Sequence, residues 1–159
     1  MDAVHRIERY LDENKIPFEL VTHPHTATSS ETAKSAGVDP RRLAKAVLLE
    51  ADECYMAAMI PADEDIRLGQ LREDYGKDFR LAEEATIREL FQGCDPGAVP
   101  GMPSAWGVEM VWDDDLLAEP DLYLEAGDHE RLIHVETRHL RDLLQETPHC
   151  HFSKPRRSH

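Results

Sequence analysis

The run LAKAVLLEADECYMAAMI, residues 43–60, decides the fold. Two apolar segments, 43–49 and 54–60, are separated by a short polar break at 51–53. Both are of strand length, so we expect neighbouring strands joined by a tight turn. Because side chains alternate between the two faces of a strand and both faces of 43–49 are apolar, this strand should be central in its sheet. Cys54, within the second apolar segment, is interpreted as a small core residue.

The remaining sequence predicts helices and strands in irregular alternation around this pair. Several strands are close enough in sequence to pair antiparallel, so the fold class is α+β, one compact domain with a mixed, largely antiparallel sheet flanked by helices. A capping-box pattern at 28–31 marks one helix start. The predicted helices are 2–14, 28–37, 68–75, 83–91 and 137–145, and the further strands are 18–21, 79–81, 108–112, 121–125 and 132–136. Dense Gly and Pro make 92–107 neither helix nor interior strand.

The chain of 159 residues fits a single domain, which we place at 1–147. A basic and flexible tail is expected at 148–159. The three cysteines are an odd number without a C-x-x-C pair, which argues against a disulfide framework or a cysteine zinc site. Neither a bilayer-spanning run nor a signal core is recognised, so the expectation is a cytoplasmic protein with no membrane partner.

The chain is strongly acidic: it has 18 Lys and Arg residues against 32 Asp and Glu residues, which gives a formal net charge of −14. Such a surface argues against an open, sequence-independent grip on DNA, because most of it would repel phosphates. The segment 1–49 is the exception among the larger segments, with seven basic and seven acidic residues. Its basic residues include Lys34, Arg41, Arg42 and Lys45.

Lys45 is the most informative single residue. It shares a strand face with Val47 and Leu49, and a lysine on a central strand costs free energy unless it meets an anion or a cavity. The alternative is that Lys45 lies at the exposed start of the strand, with its stem over apolar neighbours.

Two loops also have alternative interpretations. The Gly/Pro loop at 93–103 could present backbone N–H donors to a developing oxyanion, or it could be an ordinary surface connection. The Gly127-Asp128-His129 stretch could form an ordinary hairpin turn, or His129 could donate a hydrogen bond or shuttle a proton.

No strong metal or nucleophile motif is present. Asp113-Asp114-Asp115 could suggest a metal, but acidic residues before Leu116 favour a helix N-terminus. The paired histidines around residues 24 and 150 are too close together for the usual zinc spacing on a helix. GxSxG, P-loop and Rossmann patterns are missing, which leaves a hydrolytic site without a side-chain nucleophile open.

Taken together, the sequence over about 2–145 resembles the YbaK-type aminoacyl-tRNA editing domain, also called the prolyl-tRNA synthetase-associated or INS-type domain. The motifs that carry the resemblance are VTHP at 21–24, AKAVLL at 44–49, PGAVP at 96–100 and EAGDH at 125–129. The resemblance implies hydrolysis of the ester in a tRNA that carries the wrong amino acid, typically a mischarged tRNA for proline, without a metal or other cofactor. It further implies attack by a bound water that is assisted by the terminal ribose hydroxyl of the substrate.

The resemblance also implies roles for individual residues. Lys45 corresponds to the functional lysine near the 3′-terminal adenosine of the tRNA. The loop starting at Gly97 shapes the aminoacyl pocket and offers backbone donors to the carbonyl, and Gly127 and His129 line the same pocket. The expected substrate-binding residues are Gly97, Ala98, Val99, Pro100, Gly101, Gly127 and His129.

Two positions depart from the family pattern. Ala46 stands where members often have Asn, Thr or Ser, and Gly101 stands where the Gly-x-x-x-Pro motif requires proline. These departures concern the identity of the amino acid more than the type of reaction, because an editing site selects by pocket size and contacts.

The leading hypothesis is a free-standing trans-editing deacylase whose partners are the 3′ acceptor end of a mischarged tRNA and, transiently, a synthetase. We expect a small basic surface with possible RNA contacts at Lys34, Arg41 and Arg42, and a second basic cluster at Lys154, Arg156 and Arg157. The alternatives are a non-catalytic aminoacyl-tRNA or nucleotide-binding module and a hydrolase of a small aminoacyl ester or adenylate.

Overall fold

The computed structural model describes residues 2–155. One large mixed sheet carries helices on both faces, and a two-stranded ribbon lies beside it. The helices are α1 (Ala3–Glu13), α2 (Ser29–Ala36), α3 (Leu68–Tyr75), α4 (Glu84–Leu90), α5 (Asp114–Leu117) and α6 (Thr137–Leu144), with 3-10 turns at Pro40–Arg42 and Pro103–Trp106. The strands are β1 (Glu19–Thr22), β2 (Leu43–Ala51), β3 (Cys54–Pro61), β4 (Glu64–Ile66), β5 (Arg80–Leu81), β6 (Met110–Asp113), β7 (Asp121–Glu125), β8 (Arg131–Glu136), β9 (His149–Cys150) and β10 (Ser153–Pro155).

The large sheet has the strand order β1-β8-β7-β2-β3-β6-β9, and β5 also pairs with β2. The pairs β1–β8, β7–β8, β2–β3 and β2–β5 are antiparallel. The pairs β2–β7, β3–β6 and β6–β9 are parallel. The predicted α+β class with a mixed sheet is therefore confirmed, and β2 is central as expected.

The hairpin of β2 and β3 is the longest ladder in the sheet, from Ala44 opposite Pro61 to Ala51 opposite Cys54. Its two-residue turn places Asp52 at φ 47° and Glu53 at φ 68°. A two-residue turn with positive φ at both positions has a backbone twist that matches the twist of the paired strands. Cys54 is exposed at the edge of this turn, so its interpretation as a core residue is wrong.

The two faces of β2 pack against different layers. Ala44 and Leu48 pack in one cluster with apolar residues of α1 and α6, including Ile7 and Leu140. Leu49 packs on the other side in a second cluster with Leu71 of α3, Phe79 and Phe152. Burying one such side chain contributes about 1.5–3 kcal/mol, so both faces hold the strand in place.

The segment that begins at residue 148 is not a free tail up to Pro155. Phe152 is fully buried, and Ser153–Pro155 pairs antiparallel with β4. The expectation of a flexible tail at 148–159 is therefore wrong for residues 148–155, because an apolar side chain with a place in the core outweighs the basic composition around it. Arg156 and Arg157, part of the expected second basic cluster, lie outside the described residues.

The Gly/Pro segment 92–107 also contains more structure than its composition predicts. Pro103–Trp106 forms a 3-10 turn that ends at Gly107 with φ 76°. Met102 beside it is fully buried, and the Trp106 ring lies edge-on to Phe91 with centroids 5.9 Å apart. The turn therefore packs into the core. Pro103 begins it, which fits because the first position of a helix can accept proline.

Among residues 2–155, no helix combines the length and apolar character needed to cross a bilayer.

Candidate functional site

A cavity of about 300 Å³ opens where the sheet divides beside β2. The parallel ladder from β7 ends at Ala44 and Leu124, and the antiparallel ladder from β5 begins only at Leu49 and Leu81. Residues 45–48 of β2 line the cavity between these two ladders. The volume is at the lower end of the range for ligand pockets.

Lys45 lies inside this opening rather than at an exposed strand start. It is half-buried, and its Nζ donates to the backbone carbonyl of Glu64 at 2.8 Å. The contact holds the end of the long side chain against β4. The structure thus places the predicted lysine in a cavity on a central strand, the interpretation that favours a functional role.

Glu125, the last residue of β7, lines the same cavity as Lys45. One of its oxygens accepts a hydrogen bond from Ser29 Oγ at 2.9 Å. Burial raises the pKa of Glu125 above its usual value near 4.5, although the Ser29 hydrogen bond and the charges of His129, His23 and Lys45 act in the opposite direction. A carboxyl group tuned upward in a cavity is suited to accept a proton.

The start of α2 forms the wall that carries Ser29. Thr28 caps this helix by accepting from the backbone N–H of Glu31, and Glu31 accepts in return from Ala27 N–H. The predicted helix start is therefore confirmed, although the return bond of Glu31 goes to Ala27 and not to the N-cap residue Thr28. This start fixes the direction from which Ser29 approaches Glu125.

The Gly/Pro loop contributes only its first part to the cavity wall. Gly97 and Ala98 line it, whereas Val99, Pro100 and Gly101 do not. Ala98 N–H donates to Asp95 O within the loop, but no acceptor for Gly97 N–H is found among residues 2–155. Of the two residues of this loop that line the cavity, Gly97 is thus the one whose backbone N–H has no acceptor among the described residues.

Gly101 anchors the loop on β7. Its N–H donates to Glu125 O at 2.7 Å. A Cβ at this position would lie 2.6 Å from Glu125 N and 2.7 Å from Leu124 Cβ. Proline, which the family motif places here, would lack the N–H, so glycine at 101 fits the close backbone contact seen in this chain.

His129 ties the β7–β8 turn to the same loop. Its Nε2 donates to Pro96 O at 3.0 Å, and its backbone has φ 61°. Asp128 stabilises the turn by accepting from the backbone N–H groups of Glu130 and Arg131. Burial tends to raise the pKa of Asp128, but these bonds and the Arg131 guanidinium outweigh it and lower that pKa.

Gly127 also lines the cavity. It lies where the turn between β7 and β8 packs closely against Ala3 of α1. Its φ is 90°, and an added Cβ would lie 2.9 Å from both Ala3 Cβ and Cys94 Sγ. Burial raises the pKa of the Cys94 thiol to about 12, so this sulfur is a packing group and not a nucleophile.

The three expected RNA contacts differ in their surroundings. Lys34 and Arg41 are exposed. The Arg42 guanidinium instead lies 2.8 Å from Asp121 Oδ1 and 3.6 Å from Glu119 Oε2. The charge of Arg42 is thus compensated within the domain, which leaves Lys34 and Arg41 as the available cations of the set.

A group of possible metal ligands lies away from the cavity. Ligand atoms of Asp113, Asp115 and His151 are all within 4.8 Å of one another. However, both oxygens of Asp113 already accept backbone N–H groups, those of Asp115 and Phe152. The first of these bonds caps α5, so the acidic run begins a helix as predicted.

Several residues that line the cavity were not predicted as site residues, among them His23, Ser29 and Glu125. His23 and Glu125 are within the motifs of the resemblance, but their types alone have many structural uses. Only the register of β2 and β7 shows that Glu125 lines the same cavity as Lys45. Ser29 contacts Glu125, which lies 96 positions further along the chain, and no local sequence pattern reports such a distant contact.

Comparison with known proteins identifies a family for the chain. The family model of the aminoacyl-tRNA editing domain matches residues 23–143. Two curated relatives are proline–tRNA ligases, from Xanthomonas axonopodis pv. citri (29% identical over 69% of this chain) and Aquifex aeolicus (30% over 73%). This chain spans only 19% and 20% of their lengths.

A solved structure described as a candidate trans-editing enzyme for prolyl-tRNA synthetase has the same fold. The TM-score is 0.82 over 97% of this chain and 98% of that chain, at 20% sequence identity. At this identity the likeness establishes the architecture and leaves the chemistry to the residues of the cavity.

Proposed function

The chain belongs to the aminoacyl-tRNA editing domain family, and from this premise we propose that it hydrolyses the ester bond between an amino acid and the 3′ end of a mischarged tRNA. The observation that carries the proposal is the pairing of Lys45 with Glu125 in one cavity at the division of the sheet. A cation, a carboxyl group and a residue with an unpaired backbone N–H line one small cavity, which supports the proposal. This combination suits ester hydrolysis by water.

The roles follow from the chemistry of each group. Glu125 accepts a proton from a water molecule, whose oxygen forms a bond to the ester carbonyl carbon. Gly97 N–H and the Lys45 ammonium stabilise the negative charge that develops on the carbonyl oxygen. The bond to the ribose oxygen then breaks, and the proton passes to that oxygen as the free amino acid leaves.

The proposed substrate is a tRNA for proline that carries a wrong amino acid. The relatives that share this segment are proline–tRNA ligases, and the structural neighbour is described as acting for prolyl-tRNA synthetase. A synthetase pocket gains only about 1–3 kcal/mol from one methylene group, so a second site of small volume is a physical means of removing errors. We include transient contact with a synthetase in the proposal.

A second candidate is a binding module of the same fold without turnover. It is favoured by one contact: Lys45 Nζ is already held by the Glu64 carbonyl at 2.8 Å. In that case the lysine would position the terminal adenosine, and the ester would remain intact.

The two candidates separate in a deacylation panel. The purified chain is incubated with tRNA for proline charged with alanine, cysteine, serine or proline, and release of the amino acid is measured. Hydrolysis of at least one mischarged species, lost in Lys45→Ala, supports the proposal. Intact substrates that nevertheless bind the folded protein favour the binding module, whereas no hydrolysis and no binding contradicts both.

A further inference from the structure

The main chain of Ala46 faces the cavity with both of its polar groups. In β2, Leu43 O accepts from Ala62 N–H on the β3 side, and Leu48 O accepts from Ala82 N–H on the opposite side. Backbone groups of successive strand residues alternate between the two edges, so Ala46 N–H and C=O point to the same edge as Leu48 O. That edge is the one on which the cavity opens.

The neighbouring strand does not use these groups. Continuing the parallel ladder of β2 and β7 beyond Ala44 and Leu124 would bring Ala46 N–H to the carbonyl of Glu125. That carbonyl instead accepts from Gly101 N–H at 2.7 Å, and the ladder ends. The Gly/Pro loop therefore occupies the Glu125 carbonyl, with which Ala46 N–H would pair if the ladder continued. No other backbone hydrogen bond of Ala46 toward this edge is found within residues 2–155.

We infer that Ala46 binds the aminoacyl group of the substrate as a one-residue strand. Ala46 N–H donates to the ester carbonyl, and Ala46 C=O accepts from the α-ammonium group. The two bonds repeat the reciprocal pattern of an antiparallel pair. This inference rests on the proposed function and adds a main-chain catalytic residue to it.

The proposed contacts come from the main chain of Ala46, so they do not require a polar side chain at this position. They bind the carbonyl and the α-ammonium group of the substrate, which all α-amino acids share, and leave the substrate side chain unrecognised. Discrimination then depends on the room left in the cavity, whose volume is about 300 Å³. The departure from the polar residues that the family often carries here affects selectivity without removing the anchor for the ester.

The first test is Ala46→Pro, which removes the N–H and leaves the C=O. The β3 ladder does not use this N–H, and a proline is tolerated where a strand N–H is unpaired. With folding checked by thermal melting, we expect single-turnover deacylation to fall by about 100-fold while tRNA binding changes little. Ala46→Gly keeps the N–H and measures how much of the loss comes from strand flexibility. Full activity in a folded Ala46→Pro variant overturns the inference.

A second measurement decides the case if the proline variant does not fold. Amide hydrogen exchange of the wild-type chain is followed by NMR with 3′-(alanylamino)-3′-deoxyadenosine, an analogue whose amide bond resists hydrolysis. We expect Ala46 to exchange faster than Val47 in the free protein, since Val47 pairs with Ala58 in β3. The bound analogue should slow the exchange of Ala46 by at least about tenfold.

The outcomes separate this inference from the proposed function. Binding that shifts other cavity signals but leaves Ala46 exchange unchanged overturns the inference alone. Protection of Ala46 in a chain that deacylates no tRNA supports the contact and contradicts the deacylase. Failure of the analogue to bind at any soluble concentration overturns the contact, and the tRNA panel then decides the activity separately.

Discussion

Lys45 and Glu125 each follow, by one residue, the last paired residues of two parallel strands, Ala44 of β2 and Leu124 of β7. A parallel register sends such neighbours to the same face of a sheet. The strands separate directly beyond this point, so Lys45 and Glu125 both line the cavity that opens there. The two candidate site residues are thus brought to one cavity by the place at which the parallel ladder ends.

Lys45→Ala should abolish deacylation. Loss of one electrostatic contact to the reacting carbonyl lowers the rate by about 100- to 1,000-fold. Lys45→Met keeps most of the apolar stem and separates packing from charge, so it should be equally inactive but melt nearer to the wild type. Single-turnover rates and melting curves check both variants, and a Met variant with more than a tenth of wild-type activity would contradict a role for the charge.

Glu125→Gln should stabilise the chain at neutral pH and inactivate it. Burial raises the pKa of Glu125 in the folded state, so the folded chain binds its proton more tightly than the unfolded chain does. Stability is therefore lost as the pH rises above the unfolded value near 4.5, until the folded-state pKa is passed. The glutamine, which can still accept from Ser29, removes this loss.

The measurement for Glu125→Gln is a pair of melting curves at pH 4 and pH 7 with a pH–rate profile. We expect a higher melting temperature than the wild type at pH 7 and a smaller difference at pH 4. The wild-type rate should rise with pH through the raised pKa, and this limb should vanish in the variant. A variant that keeps the limb would assign the proton transfer to another group.

Gly101→Ala should be destabilising by about 2 kcal/mol, because its Cβ would lie 2.6 Å from the backbone nitrogen of Glu125. Gly69 is the matched control, since a Cβ there meets nothing within 4 Å on α3. Gly69→Ala should therefore be neutral or stabilising by up to about 1 kcal/mol. Urea unfolding compares the two, and equal stabilities would show that the loop can move away from β7.

Glu53→Gly should stabilise the central hairpin by about 1 kcal/mol, since Glu53 holds a positive φ that costs a residue with a side chain. Glu53→Ala loses the same charge but keeps the Cβ, and it should show no such gain. Both lie outside the cavity, so the deacylation rate should be unchanged. A stabilisation shared by both variants would point to charge and not to backbone strain.

Lys34→Gln combined with Arg41→Gln should weaken tRNA binding and reduce its salt dependence. Each lost phosphate contact lowers the slope of log affinity against log salt by about 0.7–0.9, so about 1–2 is expected for the pair. Arg42→Gln is the comparison: it should mainly reduce stability, because it removes the ion pair of the Arg42 guanidinium with Asp121. Filter binding at several salt concentrations measures the slopes, and an unchanged slope in the double variant would exclude these contacts.

The sequence predicted the elements that obey local rules. Apolar runs of strand length located β2 and β3, and the capping-box pattern located the start of α2. The lysine was found because a charge on a strand with two apolar faces conflicts with its surroundings. Those features depend on residues a few positions apart, which a pattern can report.

Features that depend on distant contacts were missed. Phe152 occupies a core position that only the folded sheet creates, so the composition around it suggested a tail. Ser29 and Glu125 meet only when α2 packs over the end of β7. Likewise, the ion pair of Arg42 with Asp121 forms only because β2 and β7 pair in parallel, and a count of basic residues does not reveal it.

The ribbon of β4 and β10 has a consequence for where this domain can be cut. Ser153–Pro155 pairs with the strand whose first residue, Glu64, holds the Lys45 ammonium. A chain truncated after Thr147 would retain every side chain of the cavity and still lose the support beneath its lysine. The structural support of the cavity therefore extends beyond residue 143, the last one matched by the family, to the strand that pairs with Glu64.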